Sequence, residues 1–391
     1  MSVYNKNGTS LSSVYGKTGS SLTVAYDVGG TQVFGGGGSD YDEWETEYQH
    51  TILQARDAWK VGYRADNTVV PLLFDTDQHG YYRYAVDLFG YLGLSINWDE
   101  ISAHVNLGDT CGGTYTTRQF NEMVTCLTPI PASKKINVWG NHDIYVYTEE
   151  GDGSSYATHA IDNDTFTYLQ NTYFNNSAFG TNMRYGNRQN EYIIDSARGI
   201  KYVVITTWYY DQYGDVYYNP QMSYEAVESW ITMLSAVDNY DIILLMHIQP
   251  YYHSEYYIPA VDGNEAGIKS GAPDQNNKVT PRTQLNQFFA DRKAKTSGTI
   301  VDFDGVTHSY DFSNCTSDIL CAFAGHYHGD LYQWDANGTV PVIILDAMGY
   351  DNHPFYMVNV DRTNQLVDLW KVDDSPTFYH FQVPFTKAVN T

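Results

Sequence analysis

The chain has 391 residues, 42% of them hydrophobic, so it can bury a large core. Its 22 basic residues are outnumbered by 46 acidic ones, and the formal charge of −24 argues against a broad grip on a nucleic-acid backbone. No stretch approaches the roughly 18 apolar residues of a membrane-spanning helix, and the first residues show no secretion signal. We therefore expect no membrane span, and either a cytoplasmic location or release without a signal, on a virion or a cell surface.

The first 33 residues repeat a pattern with a period of 11. Aromatic residues and turn glycines recur in register at Tyr4, Tyr15 and Tyr26 and at Gly8, Gly19 and Gly30. Apolar residues on both sides of a glycine turn are typical of β-hairpins. Together with the glycine linker that follows, residues 1–38 are predicted to form a small β-repeat segment. Two interpretations stay open for it: an attachment or oligomerisation module, or a flexible leader.

Residues 39–66 carry a helical pattern. Large apolar side chains recur there at steps of three and four, at Trp44, Tyr48, Ile52, Ala55 and Trp59. Such spacing places them on one face of a helix. It predicts an amphipathic helix that packs on the main domain.

From residue 67 to residue 391 we expect a single domain in which strands and helices alternate before a final run of strands. Apolar runs predict strands at 69–74, 104–107, 136–139, 202–208, 242–246, 319–324, 342–345, 355–360 and 366–370. Helical patterns lie at 82–92, 118–127, 224–237 and 284–295. This order predicts an α/β fold of two packed, mostly mixed β-sheets flanked by helices. Residues 144–190 and 252–280 lack clear periodicity and are expected to be insertions at the rim of a pocket.

The four cysteines, at positions 111, 126, 315 and 321, fit no zinc-finger spacing. We expect free thiols. A disulfide between Cys315 and Cys321 is the alternative if the protein works outside a cell.

Residue types that bind metal ions follow five of the predicted strands. They occur in the segments DQH at 77–79, GD at 108–109, GNHD at 140–143, His247, and GHYH at 325–328. In open α/β sheets, ligand sites form outside the carboxyl ends of the strands, so the five segments are expected to converge. Mixed oxygen and nitrogen donors suit Zn, Mn or Fe.

Several neighbouring residues have two interpretations. Asp75 lies two residues before Asp77, but the spacing of the DQH segment favours Asp77 as the ligand and leaves Asp75 as a supporting residue. His104 lies within a strand and is expected in the core. Tyr327 is expected to point away from the two histidines beside it if the backbone there is extended. His253 could reach a bound phosphate, although an exposed loop is the favoured interpretation.

The ordered pattern DxH, GD, GNH[DE], a lone His and GHxH resembles the calcineurin-like metallophosphoesterase superfamily, over roughly residues 67–370. The resemblance implies two divalent metal ions, Zn, Mn or Fe. It implies that one ion is held by Asp77, His79 and His328, and the other by Asn141, His247 and His326. It also implies that Asp109 bridges the two ions.

The same resemblance implies hydrolysis of a phosphoester by a hydroxide that the two ions share. Asn141 would contact the substrate phosphate and stabilise developing negative charge. His142 would protonate the leaving oxygen, and Asp143 would orient it.

The substrate class is less well defined by the sequence. Gly112 stands three residues after Asp109, where purple acid phosphatases have a tyrosine, so a purple site is not expected. Because few positive side chains accompany the motifs, a phosphodiester is preferred to a phosphomonoester or a nucleotide, and the substrate could be small or borne by a polymer. The alternative of another class is a surface or virion-associated binding protein with an inactive phosphoesterase fold. The complete ligand set argues against that alternative.

Overall fold

The computed structural model describes residues 42–63, 68–80, 96–112, 121, 130–149, 155–160, 163–173, 176–179, 181–185, 190–205, 224–248, 281–302, 305–334, 337–349, 353–373 and 377–387. Five α-helices lie in this part of the chain: α1 (Asp42–Gly62), α2 (Asn141–Ile144), α3 (Asn163–Thr172), α4 (Tyr224–Leu234) and α5 (Pro281–Ala294). Short 3₁₀ helices cover Ala132–Lys134 and Asn176–Phe179. None of the described helices is long and apolar enough to span a lipid bilayer. The N-terminal repeats, the predicted helices at 82–92 and 118–127, and the loop at 252–280 lie outside the described residues, apart from position 121.

The described strands number seventeen. In chain order they are β1 (Val69–Asp75), β2 (Ala103–Asn106), β3 (Lys135–Asn137), β4 (Tyr145–Glu149), β5 (Ser155–Ala160), β6 (Thr181–Tyr185), β7 (Asn190–Asp195), β8 (Ile200–Val204), β9 (Asp241–Leu245), β10 (Ser297–Val301), β11 (Thr307–Asp311), β12 (Ile319–Ala324), β13 (Leu331–Trp334), β14 (Pro341–Ile344), β15 (Phe355–Asp361), β16 (Leu366–Val372) and β17 (Tyr379–Pro384).

Two large mixed sheets contain most of these strands. The six-stranded sheet has the order β17-β16-β15-β1-β2-β3, in which β1, β2 and β3 run parallel. The seven-stranded sheet has the order β13-β14-β12-β9-β8-β7-β6, in which β14, β12, β9 and β8 run parallel. The pairs β4-β5 and β10-β11 form separate two-stranded sheets. The predicted architecture of two mixed sheets flanked by helices is confirmed.

The two large sheets pack face to face through a dry layer of side chains. Phe74 of the first sheet and Phe323 of the second meet with ring centroids 4.3 Å apart. Around them one apolar cluster combines residues of both sheets, including Val105, Tyr202 and Leu245. Continuous burial explains why these strands read as unbroken apolar runs in the sequence, since neither face of a central strand meets water.

Helix α1 packs on the outer face of the six-stranded sheet, against β15 and β16. Its apolar stripe is buried at Ile52, Ala55 and Trp59. The indole N–H of Trp59 donates to the carbonyl of Val358 at 3.1 Å. The side-chain NH₂ of Asn359 donates to the backbone carbonyl of Trp59 at 3.1 Å, so β15 holds the helix by hydrogen bonds as well as by apolar contact.

Parts of the predicted insertion at 144–190 have regular structure. Strands β4 and β5 form a hairpin, and β6 joins the seven-stranded sheet as its edge strand. The sequence of β6, TNMRY, lacks an apolar run because an edge strand needs less burial than a central one. The region therefore extends the seven-stranded sheet.

The alternative of a Cys315–Cys321 disulfide is wrong. Both residues are buried free thiols. Cys321 lies in the apolar layer between the sheets. Cys315 lies in a second apolar cluster, here called the outer apolar cluster, which includes Trp59 of α1 and Trp230 of α4. The Cys315 thiol donates to the carbonyl of Leu234 at 3.5 Å. Because the two side chains belong to different layers, they cannot be joined without moving the backbone.

His308 on β11 is buried between two carboxylates, with Asp302 at 2.9 Å and Glu228 of α4 at 2.5 Å. Burial opposes the charged imidazole, but these hydrogen bonds outweigh it and raise the pKa of His308. Its contribution to stability is therefore fully present below the pKa of the unfolded chain and is lost as pH rises through the higher folded value. In urea titrations of the metal-free protein, we expect His308→Gln to flatten the fall in unfolding free energy above about pH 6.5. An unchanged slope would contradict this.

Candidate metal centre

The five motif segments meet at one edge of the sandwich. DQH, GD and GNHD follow β1, β2 and β3 of the first sheet, while His247 and GHYH follow β9 and β12 of the second. Backbone hydrogen bonds continue past the strand ends and hold the segments together: the amide of Asp77 donates to the carbonyl of Gly108 at 2.8 Å, and that of Gly325 to the carbonyl of His247 at 2.9 Å. The parallel strands of both sheets thus deliver their carboxyl ends to the same place.

All seven predicted ligands lie at this edge, in two groups. The ligand atoms of the first group lie within 4.8 Å of one another and belong to Asp77, His79, Asp109 and His328. A second group with the same spacing consists of Asp109, His247 and His326. The amide oxygen of Asn141 joins the second group, 3.1 Å from Nε2 of His247. The two histidines of GHYH therefore belong to different groups: His328 to the first and His326 to the second. His253 lies outside the described residues.

Asp109 is the residue common to both groups. Its Oδ2 lies 3.2 Å from Nε2 of His247 and 3.9 Å from Nε2 of His79. Its Oδ1 accepts a hydrogen bond from the backbone amide of His142 at 2.8 Å. The carboxylate is thus held in place by the GNHD turn while one oxygen faces histidines of both groups.

The donor set fits divalent cations. Asp77 is buried, and its Oδ2 is occupied by the amide of His326 at 2.9 Å and the hydroxyl of Thr76 at 2.6 Å. Its Oδ1 instead faces imidazole nitrogens, His328 at 3.2 Å and His79 at 3.9 Å. A buried carboxylate oxygen surrounded by nitrogen lone pairs suits a borderline metal ion, which both kinds of donor can bind.

Five of the seven candidate ligands have a left-handed backbone, which non-glycine residues adopt at a cost of roughly 1 kcal/mol or more each. They are Asp77 (φ 51°), His79 (φ 47°), Asp109 (φ 52°), His326 (φ 69°) and His328 (φ 55°). The expectation that Tyr327 points away from the two histidines depended on an extended backbone. That backbone is absent, because the GHYH segment turns instead of continuing β12. Tyr327 packs against the outer apolar cluster. Such strain concentrates at functional sites, where the surrounding structure must maintain it.

Glycines in the motifs allow the ligand loops to touch. A Cβ at Gly140 would collide with the amide nitrogen and carboxylate of Asp109. A Cβ at Gly325 would collide with the Thr76 hydroxyl and the Asp77 carboxylate. At both positions the motif needs glycine because a ligand carboxylate occupies the space of a side chain.

Gly140→Ala is therefore expected to displace Asp109 and weaken Mn²⁺ binding by at least about tenfold, a typical effect of disturbing the support of a ligand. Isothermal titration with Mn²⁺ measures this. Gly329→Ala is the matched control, because a Cβ there makes only ordinary contacts, 3.5 Å from the Tyr327 ring. Equal affinities in the two variants would contradict the steric argument.

His142 and Asp143 occupy the short helix α2. The two carboxylate oxygens of Asp143 accept hydrogen bonds from backbone amides, Cys111 at 3.1 Å and Gly140 at 2.9 Å. The Cys111 thiol donates to the carbonyl of His142 at 2.9 Å. Asp143 therefore fixes the backbone that carries His142. The His142 ring lies edge-on to the ring of His79, with centroids 4.6 Å apart, so it borders the first ligand group.

Opposite charges at the centre shift the pKa values of its buried groups. Burial acts to raise the pKa of Asp77, but His247 and His328 outweigh it and lower it to about 2. Burial acts in the same way on Asp109, whose pKa is nevertheless kept well below its usual value by His247 and His142. Conversely, Asp109 and Asp77 overcome the burial of His247 and raise its pKa to about 9. The centre thus carries two ionised carboxylates at neutral pH.

Two histidines of the centre are held neutral. Burial lowers the pKa of His79 to about 4, and burial together with His247 lowers that of His326 to about 3. A neutral imidazole is the form that binds metal. Burial and the neighbouring charge of Asp109 raise the pKa of Asp143 to about 7.

Sequence reasoning missed several residues that shape the site, chiefly Thr76, Gln78, Asn106 and Cys111. Asn106 carried the clearest signal, because it is one of two polar residues, with His104, in a four-residue strand that is buried throughout. Thr76 and Gln78 lie between residues that the motif itself accounts for, so the sequence did not indicate a role for them in the site.

No protein-family model matches the chain, and no curated protein matches it by sequence. Solved structures do match. A predicted phosphoesterase from Streptococcus pneumoniae is 8% identical, with 81% of this chain and 98% of that chain covered and a TM-score of 0.29. A phosphopantetheinyl hydrolase from Mycobacterium tuberculosis is 11% identical, with 72% and 91% covered and a TM-score of 0.32. A protein described as the anchor in the inner membrane complex of Plasmodium is 10% identical, with 82% and 90% covered and a TM-score of 0.39.

Proposed function

We propose that this chain is a metal-dependent phosphoesterase of the calcineurin-like type. The carrying observation is the pair of ligand groups that share Asp109, because a carboxylate common to two groups of nitrogen and oxygen donors is suited to a pair of divalent ions. The residues of one group would hold one ion, and the second group with Asn141 would hold the other. Zn, Mn or Fe fits this donor set.

When bound, two such ions supply positive charge that makes a water molecule acidic near neutral pH and stabilises charge on phosphate oxygens. The chain supplies the geometry. Asp109 is held by the amide of His142, so the bridging carboxylate and the general acid are coupled through one hydrogen bond. Asn141, at the start of α2, presents its oxygen to the second ligand group, and at this position its side chain would contact the substrate phosphate.

His142 is proposed as the general acid. It follows Asn141 directly, borders the first ligand group through His79, and its backbone is fastened from both sides by Asp109 and Cys111. A proton delivered from its imidazole to the leaving oxygen avoids the release of a strongly basic alkoxide.

A phosphodiester is the proposed substrate class. Monoester dianions need more positive charge than diester monoanions. Lys371 lies on β16 beside the loop that follows GHYH, and its ammonium group is already matched by Asp330 at 2.7 Å and Asp346 at 2.9 Å. The positive charge of Lys371 is therefore neutralised by these two carboxylates and does not favour a substrate dianion. A polymer-borne diester at a cell surface would suit an attachment role for residues 1–33.

The test compares bis(p-nitrophenyl) phosphate with p-nitrophenyl phosphate, using protein stripped by a chelator and reloaded with Mn²⁺ or Zn²⁺. We expect hydrolysis only after reloading, with the larger kcat/KM for the diester. A larger value for the monoester would favour a phosphomonoesterase or nucleotide phosphatase. Failure to bind metal at all would contradict the enzyme and favour an inactive binding protein.

A further inference from the structure

A second polar cluster lies next to the ligand loops. Asp75, the last residue of β1, is buried, and it joins Gln78, His104 and Asn106 in what we call the Asp75 cluster. Its Oδ1 lies 2.5 Å from Nε2 of His104. Its Oδ2 accepts hydrogen bonds from the side-chain amides of Asn106, at 2.7 Å, and of Gln78. Both carboxylate oxygens are thus engaged within the protein and turned away from a ligand role.

The cluster reaches both loops of the first two motifs. Gln78 stands between the ligands Asp77 and His79. Asn106 uses its side-chain oxygen to accept hydrogen bonds from the amide of Gly108 at 3.0 Å and the hydroxyl of Thr110 at 3.1 Å. These two residues flank Asp109. A single buried carboxylate therefore connects the loop that carries two ligands with the loop that carries the bridging one.

Both loops require such support because their ligands are strained. Asp77, His79 and Asp109 all have φ near 50°, a conformation that an unsupported loop would leave. Backbone hydrogen bonds join the loops, as from the His79 amide to the Asp109 carbonyl at 3.0 Å, but they would persist if both loops shifted together. The side-chain hydrogen bonds to Asp75 tie the loops to the ends of β1 and β2 and so oppose that shared movement. They act together with the bonds from the Met348 and Gly349 amides to the carbonyls of Thr76 and Asp77.

We propose that Asp75 is a positioning residue that fixes Asp77, His79 and Asp109 at the spacing required by two metal ions. His104 anchors the carboxylate from β2, while Gln78 and Asn106 transmit its position to the loops. The inference rests on the proposed function, since it concerns the same metal centre. It assigns Asp75 no contact with metal or substrate.

Two variants of Asp75 separate position from charge. Asn can keep the cluster, because its oxygen can accept from Gln78 and Asn106 while its NH₂ donates to the imidazole of His104. Ala removes the hydrogen bonds from Gln78 and Asn106 as well as the contact with His104. We expect Asp75→Ala to weaken Mn²⁺ binding about 10- to 100-fold, the usual effect of losing a partner of metal ligands, and Asp75→Asn to stay within about threefold of the unaltered protein.

Electron paramagnetic resonance provides the measurement. The signal of free Mn²⁺ gives the dissociation constant, and the spin coupling between two bound ions reports their spacing without any substrate. In Asp75→Ala the coupling is expected to weaken or vanish. Thermal unfolding of the same samples shows whether the variant is folded. If Asp75→Ala does not fold, Gln78→Met is the second variant. Met has a volume similar to that of Gln but cannot donate the hydrogen bond to Asp75, so we expect a lower Mn²⁺ affinity and a weaker spin coupling.

Asp302→Ala is the matched control. Asp302 is also buried and also pairs with a histidine, His308 at 2.9 Å, but it directly follows β10, whose two-stranded sheet with β11 is separate from the two large sheets. We expect it to lower the melting temperature and leave Mn²⁺ affinity and coupling unchanged. Unchanged affinity and coupling in folded Asp75→Ala would overturn the inference while leaving the proposed function intact. Absence of Mn²⁺ binding by the unaltered protein would overturn both.

Discussion

Asp109→Asn is expected to lower kcat/KM for phosphoester hydrolysis severely and to reduce the amount of metal bound per chain. Asn keeps the size of the side chain and can still accept the hydrogen bond from the His142 amide. It loses the charge and offers only one oxygen, so it cannot serve both ligand groups, which share this carboxylate. Removing several kcal/mol of transition-state stabilisation corresponds to a fall in kcat/KM of roughly 10²–10³-fold or more.

The measurement pairs metal content, by elemental analysis after gel filtration, with kcat/KM for bis(p-nitrophenyl) phosphate. Asp368→Asn is the control, because Asp368 on β16 also pairs with a histidine, His380 at 2.5 Å, outside the two ligand groups. Equal residual activity in the two variants would refute the assignment of the site.

The central strands were predictable because burial on both faces leaves a plain record in the sequence. Ile319–Ala324 is an unbroken apolar run, all six residues are buried, and the predicted bounds match β12. Some edge strands leave no such record. In β13, Tyr332 is half exposed while Gln333 is buried, so the run LYQW resembles a loop as much as a strand.

The order of the motifs indicated which residues would converge, but not how the backbone presents them. Nothing in the letters GHYH shows that His326 and His328 both adopt a left-handed conformation, since that depends on loops packed around them. Gly325 is explained only once Asp77, more than two hundred residues earlier, is seen in the space of its missing side chain.

The Asp75 cluster was also beyond sequence reasoning. The spacing of the motif favoured Asp77 over Asp75 as the metal ligand, and it predicted only that Asp75 is a supporting residue. Its partners His104 and Asn106 come from the neighbouring parallel strand, and their contacts follow from the register in which Asp75 pairs with Asn106. Pairing registers of parallel strands are not written in either strand alone.

His142→Ala is expected to slow hydrolysis in proportion to the basicity of the leaving group. General acid catalysis contributes about 10²–10⁴-fold when the leaving oxygen needs a proton, and far less when a stable phenolate departs. A series of methyl aryl phosphodiesters with increasingly basic phenols measures this as the slope of log kcat/KM against the leaving-group pKa. The slope should steepen in the variant, while metal content stays the same because Asp109 accepts its hydrogen bond from the backbone amide of residue 142, not from its ring. An equal loss for every ester would show that the ring acts on the ligands, through its contact with His79, and not on the leaving oxygen.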